Sequence, residues 1–515
     1  MCASSVPTRR RHSVQPPASG QPPSAAFTPA DIDASAEELI AFHQLFQECF
    51  PRREQRQWSL FYLCGLLSNL ERKTIEPMVL GLHGADPNAV RAAQRFITES
   101  PWDQARLSEI QHAVIAADCP CPQPKAEVGR CVGESDAVVI VDGSGFPKQG
   151  EDSVGVAPQY CNHLGKVANC QQGVFLVYVS SRGYAFLDER LYLPACWFSE
   201  AYRARRKACH LPAEVHFQTE PHLALEMITA LVQQAVIPFH WVTADASYGK
   251  NLDFLEEIDH LGKWAFIEIP SDTRVWVHTP PLELPGRGLL GRPRVHPRVA
   301  RTASPPQAVR DLLAHGPHLT WVRQTIKEGS KGPLVAEFAF LRVTPVRDML
   351  PASRVWLILQ RTLSPQSEIK FYLSNAPTTC PPREFIRVSG LRWPVETTLK
   401  EGKGQVGMDH NETRTWLAWH HHLSHVFLAH LFLIHLRLRW PDRPALTAAQ
   451  ARLLIAQAIA EEAWPLRNVL AILHYRQRRN YAAYRSHRKR TVKRQQQLSQ
   501  SQKRKKRSSV SQKSP

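Results

Sequence analysis

Three acidic residues stand far apart in this chain, each in surroundings that suit metal-dependent cleavage of phosphodiester bonds. Asp142 closes the apolar run AVVIVD and is followed by GSGF. Asp245 closes IPFHWVTAD, 103 residues further on, and is followed by ASYGK. Glu396 lies in LRWPVETTLKEGKGQ, with Arg392 four residues before it and Lys403 seven after. Two strand-end carboxylates and a helical one can together hold two Mg²⁺ ions, and such a pair of ions cuts and rejoins phosphodiesters.

Neither aspartate is specific alone, because Asp also favours helix caps and turns. Gly143 and Gly145 predict a tight turn that leaves the Asp142 carboxylate exposed. GSGFPKQG lacks the Gly-Lys-Ser/Thr ending of a phosphate-cradling loop. If 390–403 is helical, Arg392, Glu396 and Lys403 share one face, and Pro394 requires the helix to begin near it. A cation on each side of a carboxylate suits a passing phosphate backbone. A surface helix with an ordinary Glu396–Lys400 pair fits the same spacing.

These residues need a scaffold. Residues 1–30 are Pro/Ser/Ala-rich and expected to be disordered. Residues 31–117 carry apolar residues at helical spacing, with Ser35 a candidate cap, and read as a helical domain whose basic clusters at Arg52, Arg53 and Arg56 and at Arg72 and Lys73 are either a solvated face or a grip on DNA. Residues 118–134 read as a linker. The runs 137–142, 173–181, 183–194, 237–245 and 264–270 read as strands, with a helix over 222–236. Three strands, a helix and further strands fit a mixed-sheet, RNase H-like α+β core over 135–270 better than a doubly wound parallel sheet. Residues 271–380 read as a β-rich insertion, in which 271–315 is a loop or a basic arm. Residues 381–475 return the chain to core helices.

Composition narrows the class. The chain of 515 residues is long enough for several domains, and its 43% hydrophobic fraction is that of a soluble globular protein. The N-terminus has no apolar signal segment, and His and Arg interrupt the most lipid-like stretch, 423–440, so it reads as a buried helix and no membrane partner is expected. Eleven cysteines, an odd count, argue for reduced thiols. Cys119, Cys121 and Cys131 lack a second matched pair for zinc. His420, His421, His422 and His425 lack the glutamate of a metalloprotease helix and read as packed or DNA-facing. Trp241, Trp393, Trp416 and Trp419 read as packing groups. The net charge of +18 is matched by 15 Lys+Arg in 476–515 and three Arg in 1–30, regions without acids. The body is therefore near neutral, and 476–515 reads as a disordered polycation adding salt-sensitive, nonspecific DNA affinity.

Taken together, the acidic blocks resemble those of bacterial insertion-sequence transposases of the DDE superfamily. The likeness is to the group with a Y-x2-R-x3-E-x6-K signature and a β-rich insertion. Arg392, Glu396 and Lys403 match that signature, while Ser389 stands at its tyrosine position. GLLSNLERKTIEPM, VDGSGFPKQGEDSVGVAPQYCNHLGKVANCQQGVFL, TADASYGKN, YLSNAP and GMDHNETRTWLAWHHHLSH extend the resemblance over roughly 40–440. The resemblance implies that Asp142, Asp245 and Glu396 ligate two Mg²⁺ or Mn²⁺ ions. It implies that Arg392, Lys403 and the Ser389 position contact DNA phosphates. It also implies terminal inverted repeats and target DNA as partners, a homodimer on DNA, and a cytoplasmic, nucleoid-associated place in a bacterium. A transposase-derived DNA-binding protein without catalysis, and a hydrolytic endonuclease that cuts without joining, are the rival readings.

Overall fold

Helices open the chain wherever apolar residues recur behind a good cap. The computed structural model describes residues 27–116, 136–161, 163–284, 295–315, 318–329, 332–363, 368–439, 446–459 and 466–511. The 118–134 linker, its three cysteines and nearly all of the 1–30 segment lie outside these residues. Helices α1 (Pro29–Gln44), α2 (Arg53–Leu67), α3 (Ile75–Leu82), α4 (Pro87–Thr98) and α5 (Gln104–Ala116) come first. Ser35 is not the cap of α1; its hydroxyl donates to the Asp31 carbonyl inside the helix at 2.7 Å. The helix starts earlier because Thr28 and Asp31 bond reciprocally around Pro29, the Thr28 N–H donating to Asp31 Oδ2 at 2.7 Å.

The apolar runs then build the sheet. Strands β1 (Val138–Pro147), β2 (Ala157–Cys161), β3 (Lys166–Val179) and β4 (Tyr184–Tyr192) are followed by α6 (Arg203–Ala208), α7 (Glu220–Gln234), β5 (Trp241–Ala244), α8 (Leu252–His260) and β6 (Trp264–Ile269). β1 pairs antiparallel with β3 and parallel with β5, and β5 pairs parallel with β6. The spatial order is β4-β3-β1-β5-β6, with β2 also on β3. Burial on both faces explains why β1, β3 and β5 read as unbroken apolar runs.

The stretch read as an insertion extends this same sheet. It holds β7 (Arg274–Trp276), β8 (Leu282–Glu283), β9 (Arg298–Val299), β10 (Gln307–Ala308), α9 (Leu312–His315), β11 (Val322–Gly329), β12 (Gly332–Arg347), β13 (Leu350–Pro351), β14 (Val355–Thr362) and β15 (Ile369–Ser374). β15 pairs antiparallel with β6, and the order runs on through β14, β12, β7 and β10. Among the described residues the result is one 13-stranded sheet, with β8 and β9 forming a separate antiparallel pair.

Five helices close the chain: α10 (Pro382–Leu391), α11 (Pro394–Val406), α12 (Trp416–Leu438), α13 (Ala448–Ile459) and α14 (Leu466–Ser511). α12 is buried along nearly its whole length. Its Phe427 ring stacks on Phe186 of β4 at 4.6 Å, and its Phe432 meets Phe42 of α1 at 5.3 Å. The N-terminal helices and the sheet therefore share one core. The histidines of α12 are packed rather than DNA-facing: His422 bonds the Tyr62 hydroxyl at 2.8 Å, His425 the Ser59 hydroxyl at 3.1 Å and His420 the Glu189 carboxylate at 3.0 Å. No helix among the described residues is long and apolar enough to cross a membrane. Residues 476–511, expected to be disordered, continue as α14. That helix contains no Gly or Pro and is rich in Arg, Lys and Gln, all good helix formers.

Candidate active site

Strand register brings the two aspartates together. Ile140 pairs with Thr243, two residues before Asp142 and Asp245. Ala244 pairs with Ile267, one residue before Asp245 and Glu268. Asp142, Asp245 and Glu268 thus stand in a row across β1, β5 and β6, and in-register neighbours project to the same face. Trp241, on that face of β5, meets Phe385 of α10 edge-on at 5.8 Å. The acid row therefore looks toward α10 and α11.

Asp142 is not at a strand end. β1 runs on to Pro147 because β3 continues beside it, pairing Asp142 with Phe175 and Gly145 with Gln172. The GSGF glycines make no turn; a side chain at Gly145 would put its Cβ 2.7 Å from Cys161 Sγ, so lateral room is what requires glycine there. Asp142 accepts from the Gly143 N–H at 2.8 Å. Asp245 lies just past β5, where the ASYG turn wraps it. Ser247 N–H donates to its Oδ1 at 2.8 Å, and the N–H groups of Tyr248 and Gly249 donate to its carbonyl at 3.2 and 3.3 Å.

Glu396 sits exposed in the first turn of α11, where a negative charge faces the positive end of the helix dipole. Arg392 is not on that helix. α10 ends at Leu391 and α11 begins at Pro394, leaving Arg392 and Trp393 in an elbow held by 3.3 and 3.2 Å bonds from Val395 N–H to Arg392 O and from Glu396 N–H to Trp393 O. The cause is Pro394, which cannot continue α10. Trp393, expected to pack, is 59% exposed in this elbow, whereas Trp241 and Trp419 are buried. The Arg392 guanidinium pairs with Glu268, which Lys370 also approaches at 3.5 Å. Lys403 donates to the Gly145 carbonyl at 3.0 Å and lies over the Phe146 ring at 5.1 Å. Ser389 donates to the Ile386 carbonyl at 2.7 Å within α10.

Electrostatics bind the cluster. Burial, and then the charge of Asp245, push the Asp142 carboxyl up to about 7, against the pull of the Gly143 N–H and Arg392; Glu396 adds to the rise. Burial and Asp245 raise Glu220, at the start of α7, to about 7 as well. Asp142, Asp245 and Glu396 carry no ion pair among the described residues. Hard oxygen donors near one another with no direct ion pair are the donor set a hard divalent cation relieves. The three do not already form a closed cage, since no group of three potential ligands converges among the described residues.

The comparisons address this arrangement. The sequence model of the DDE superfamily endonuclease family matches residues 45–333, more than half of the chain. The chain belongs to the DDE superfamily of endonucleases. The family resemblance read from sequence therefore holds, over a stretch that includes Asp142 and Asp245 and ends before Glu396. The chain is also 24% identical over 365 residues to a probable transposase for insertion sequence element IS701 of Microchaete diplosiphon, covering 71% of this chain and 78% of the relative. A solved structure, the piggyBac transposase synaptic complex with hairpin DNA, aligns over 85% of this chain and 81% of its own with a TM-score of 0.35 and 8% identity.

Within this DDE-superfamily chain the sequence reading missed one residue of the row. Glu268 reads as an outward residue of the alternating run WAFIEIP, and only register joins it to the aspartates.

Proposed function

We propose that this chain is a DNA transposase that binds terminal inverted repeats in double-stranded DNA, cuts there, and joins the ends to a target. It works as a homodimer holding two ends, in the cytoplasm at the bacterial nucleoid. The observation that carries the reading is the in-register placement of Asp142 and Asp245 on the face toward the α10–α11 elbow, where Glu396 stands. Membership of an endonuclease family and a relative named as a probable transposase support it. We read the β4-β3-β1-β5-β6 segment as an RNase H-like core.

In this reading Asp142, Asp245 and Glu396 hold two Mg²⁺ or Mn²⁺ ions. Such ions, when bound, activate water or a 3′-hydroxyl and stabilise the leaving oxygen. The protein's own groups do the rest. Asp142, with its carboxyl raised by burial and by Asp245, must give up its proton before it can ligate. Arg392, braced on Glu268, and Lys403, braced on the Gly145 carbonyl, place positive charge on both sides of the acid row for phosphates. Ser389 stands at the signature's tyrosine position and takes a place beside the same backbone.

The test is a plasmid carrying the DNA that flanks this gene, incubated with Mg²⁺ and either the unmutated protein or Glu396→Gln. Excised and joined products from the unmutated protein alone are expected. Cut DNA without joined products identifies a hydrolytic endonuclease. Binding without cleavage, in Mg²⁺ and in Mn²⁺, identifies a binding protein that has lost catalysis.

A further inference from the structure

α14 leaves the body of the protein after a short docked stretch. Tyr475 is buried and Arg479 pairs with Glu76 of α3 at 3.1 Å, and from Asn480 to Arg490 every side chain is exposed. The helix nevertheless runs on to Ser511. It contains no Asp or Glu. An exposed helix serving only itself would intersperse acids and gain ion pairs one turn apart. Here Arg485 and Lys489, and then Lys489 and Lys493, stand four apart and repel. Among the described residues none of Arg476, Arg485, Arg488, Lys489 and Arg490 forms an ion pair. A polyanion is the partner that relieves this repulsion.

The cations are not spread evenly round the helix. At about 100° per residue, Gln477, Asn480, Tyr484 and His487 fall in one stripe about 80° wide that holds no cation between Arg476 and Lys493. Arg485 and Arg488 border the stripe on one side, Arg476 and Arg490 on the other. The docked residues Tyr475 and Arg479 lie about 140° round, so the stripe faces away from the surface that holds the helix. All four stripe residues are exposed and carry uncharged groups that donate or accept hydrogen bonds. Such groups between two rows of cations match the major groove of DNA, where base edges lie between two phosphate rims. That groove is about 12 Å wide, and a helix with its side chains is about 10–12 Å across. A membrane surface would ask for an apolar face opposite the charges, which the stripe does not supply.

We propose that α14 is a recognition helix that enters the major groove of double-stranded DNA already formed. Gln477, Asn480, Tyr484 and His487 face base edges, and the bordering arginines hold phosphates. The stripe from Gln477 to His487 is about 15 Å long, the span of about four base pairs. This rests on the reading of the chain as a transposase that binds terminal repeats, and it assigns the discrimination between sequences to one element.

The experiment measures binding of the full chain, in chelator, to a duplex carrying the DNA that flanks this gene and to a scrambled duplex of equal length and composition, by fluorescence anisotropy at several salt concentrations. Asn480→Ala and His487→Ala are each expected to reduce the preference for the flanking duplex on the order of 10-fold and to leave the affinity for the scrambled one unchanged. Arg485→Gln should weaken both and lower the salt slope by about one. Ala483→Pro keeps every charge but interrupts the helix, and should abolish the preference. A flexible polycation would be indifferent to that change. Methylation of guanine N7, in the major groove, should interfere with binding over about four base pairs, and methylation of adenine N3, in the minor groove, should not. Unmutated protein that binds both duplexes equally overturns terminal-repeat binding and this inference together. A preference that survives in Asn480→Ala, His487→Ala and Ala483→Pro overturns the role of α14 and leaves the transposase reading standing. Interference at adenine N3 alone overturns the major-groove placement. Competition by polyglutamate as strong as by duplex DNA identifies an acidic protein surface as the partner and overturns the assignment to DNA.

Discussion

Arg392 and Glu268 form an ion pair that ties the elbow between α10 and α11 to the strand beside Asp245. Both side chains are largely buried, at 23% and 18% exposure. Sequence spacing assigned Arg392 to the Glu396 helix; the fold makes it a brace between helix and sheet.

Arg392→Gln should therefore cost about 1–3 kcal/mol in denaturant unfolding, because it removes a charged hydrogen bond and leaves Glu268 with Lys370, at 3.5 Å, as its remaining cation. Adding Glu268→Gln should recover most of that stability. DNA cleavage should stay impaired in the double variant, which separates the brace from the phosphate contact.

Asp142→Asn should stabilise the protein at pH 8 in chelator. Burial and Asp245 raise the folded carboxyl from 3.8 to about 7. A group raised in this way favours folding at low pH, below its unfolded value, and that contribution is lost as pH rises through about 7. Above that pH the charged Asp142 works against the fold. We expect a gain on the order of 1–2 kcal/mol at pH 8, vanishing by pH 4, from urea unfolding at both pH values.

The buried histidine seam predicts acid lability of the opposite sign. Burial lowers His43 and His425 to about 4, and His421 and His422 to about 3, from an ordinary 6.5. Their contribution is whole above pH 6.5 and is lost as pH falls toward those values, since the unfolded chain takes up protons that the folded seam refuses. Each histidine can contribute up to about 1.4 kcal/mol per pH unit to the slope. Unfolding midpoints measured from pH 7.5 to 5 should fall, and His422→Gln should make the fall shallower.

Gly145→Ala should destabilise by about 1–3 kcal/mol through contact with the Cys161 sulfur. Cys161→Ala should rescue it. A turn-based need for glycine would not respond to that second change, so the pair of melting curves separates the two explanations.

Truncation after Asn480 should remove 12 Lys and Arg while sparing the docked start of α14, where Tyr475 is buried and Arg479 pairs with Glu76 at 3.1 Å. Affinity for random duplex DNA should drop and its dependence on salt should flatten, read by fluorescence anisotropy at several salt concentrations. Thermal stability should hold.

How legible was this in the sequence? The strands that carry Asp142 and Asp245 showed themselves because strands buried on both faces are written as continuous apolar runs. The order of the acidic blocks was equally plain. What the sequence could not display was adjacency. Glu268 joins the row through a parallel register set by two crossovers. Arg392 was misplaced because helical spacing was extended through Pro394. The GSGF glycines were read for backbone freedom, when the constraint is the thiol of a neighbouring strand.

The direct pairing of β15 with β6 has a consequence for anyone wishing to trim this protein. Residues 271–380 look excisable, as inserted segments often are. Cutting them out would strip β6 of its outer neighbour and leave a row of unbonded amides and carbonyls open to solvent, next to Glu268. Bare edges of that kind recruit strands from other molecules, so the shortened chain should come out of the cell as aggregate rather than as a minimal enzyme.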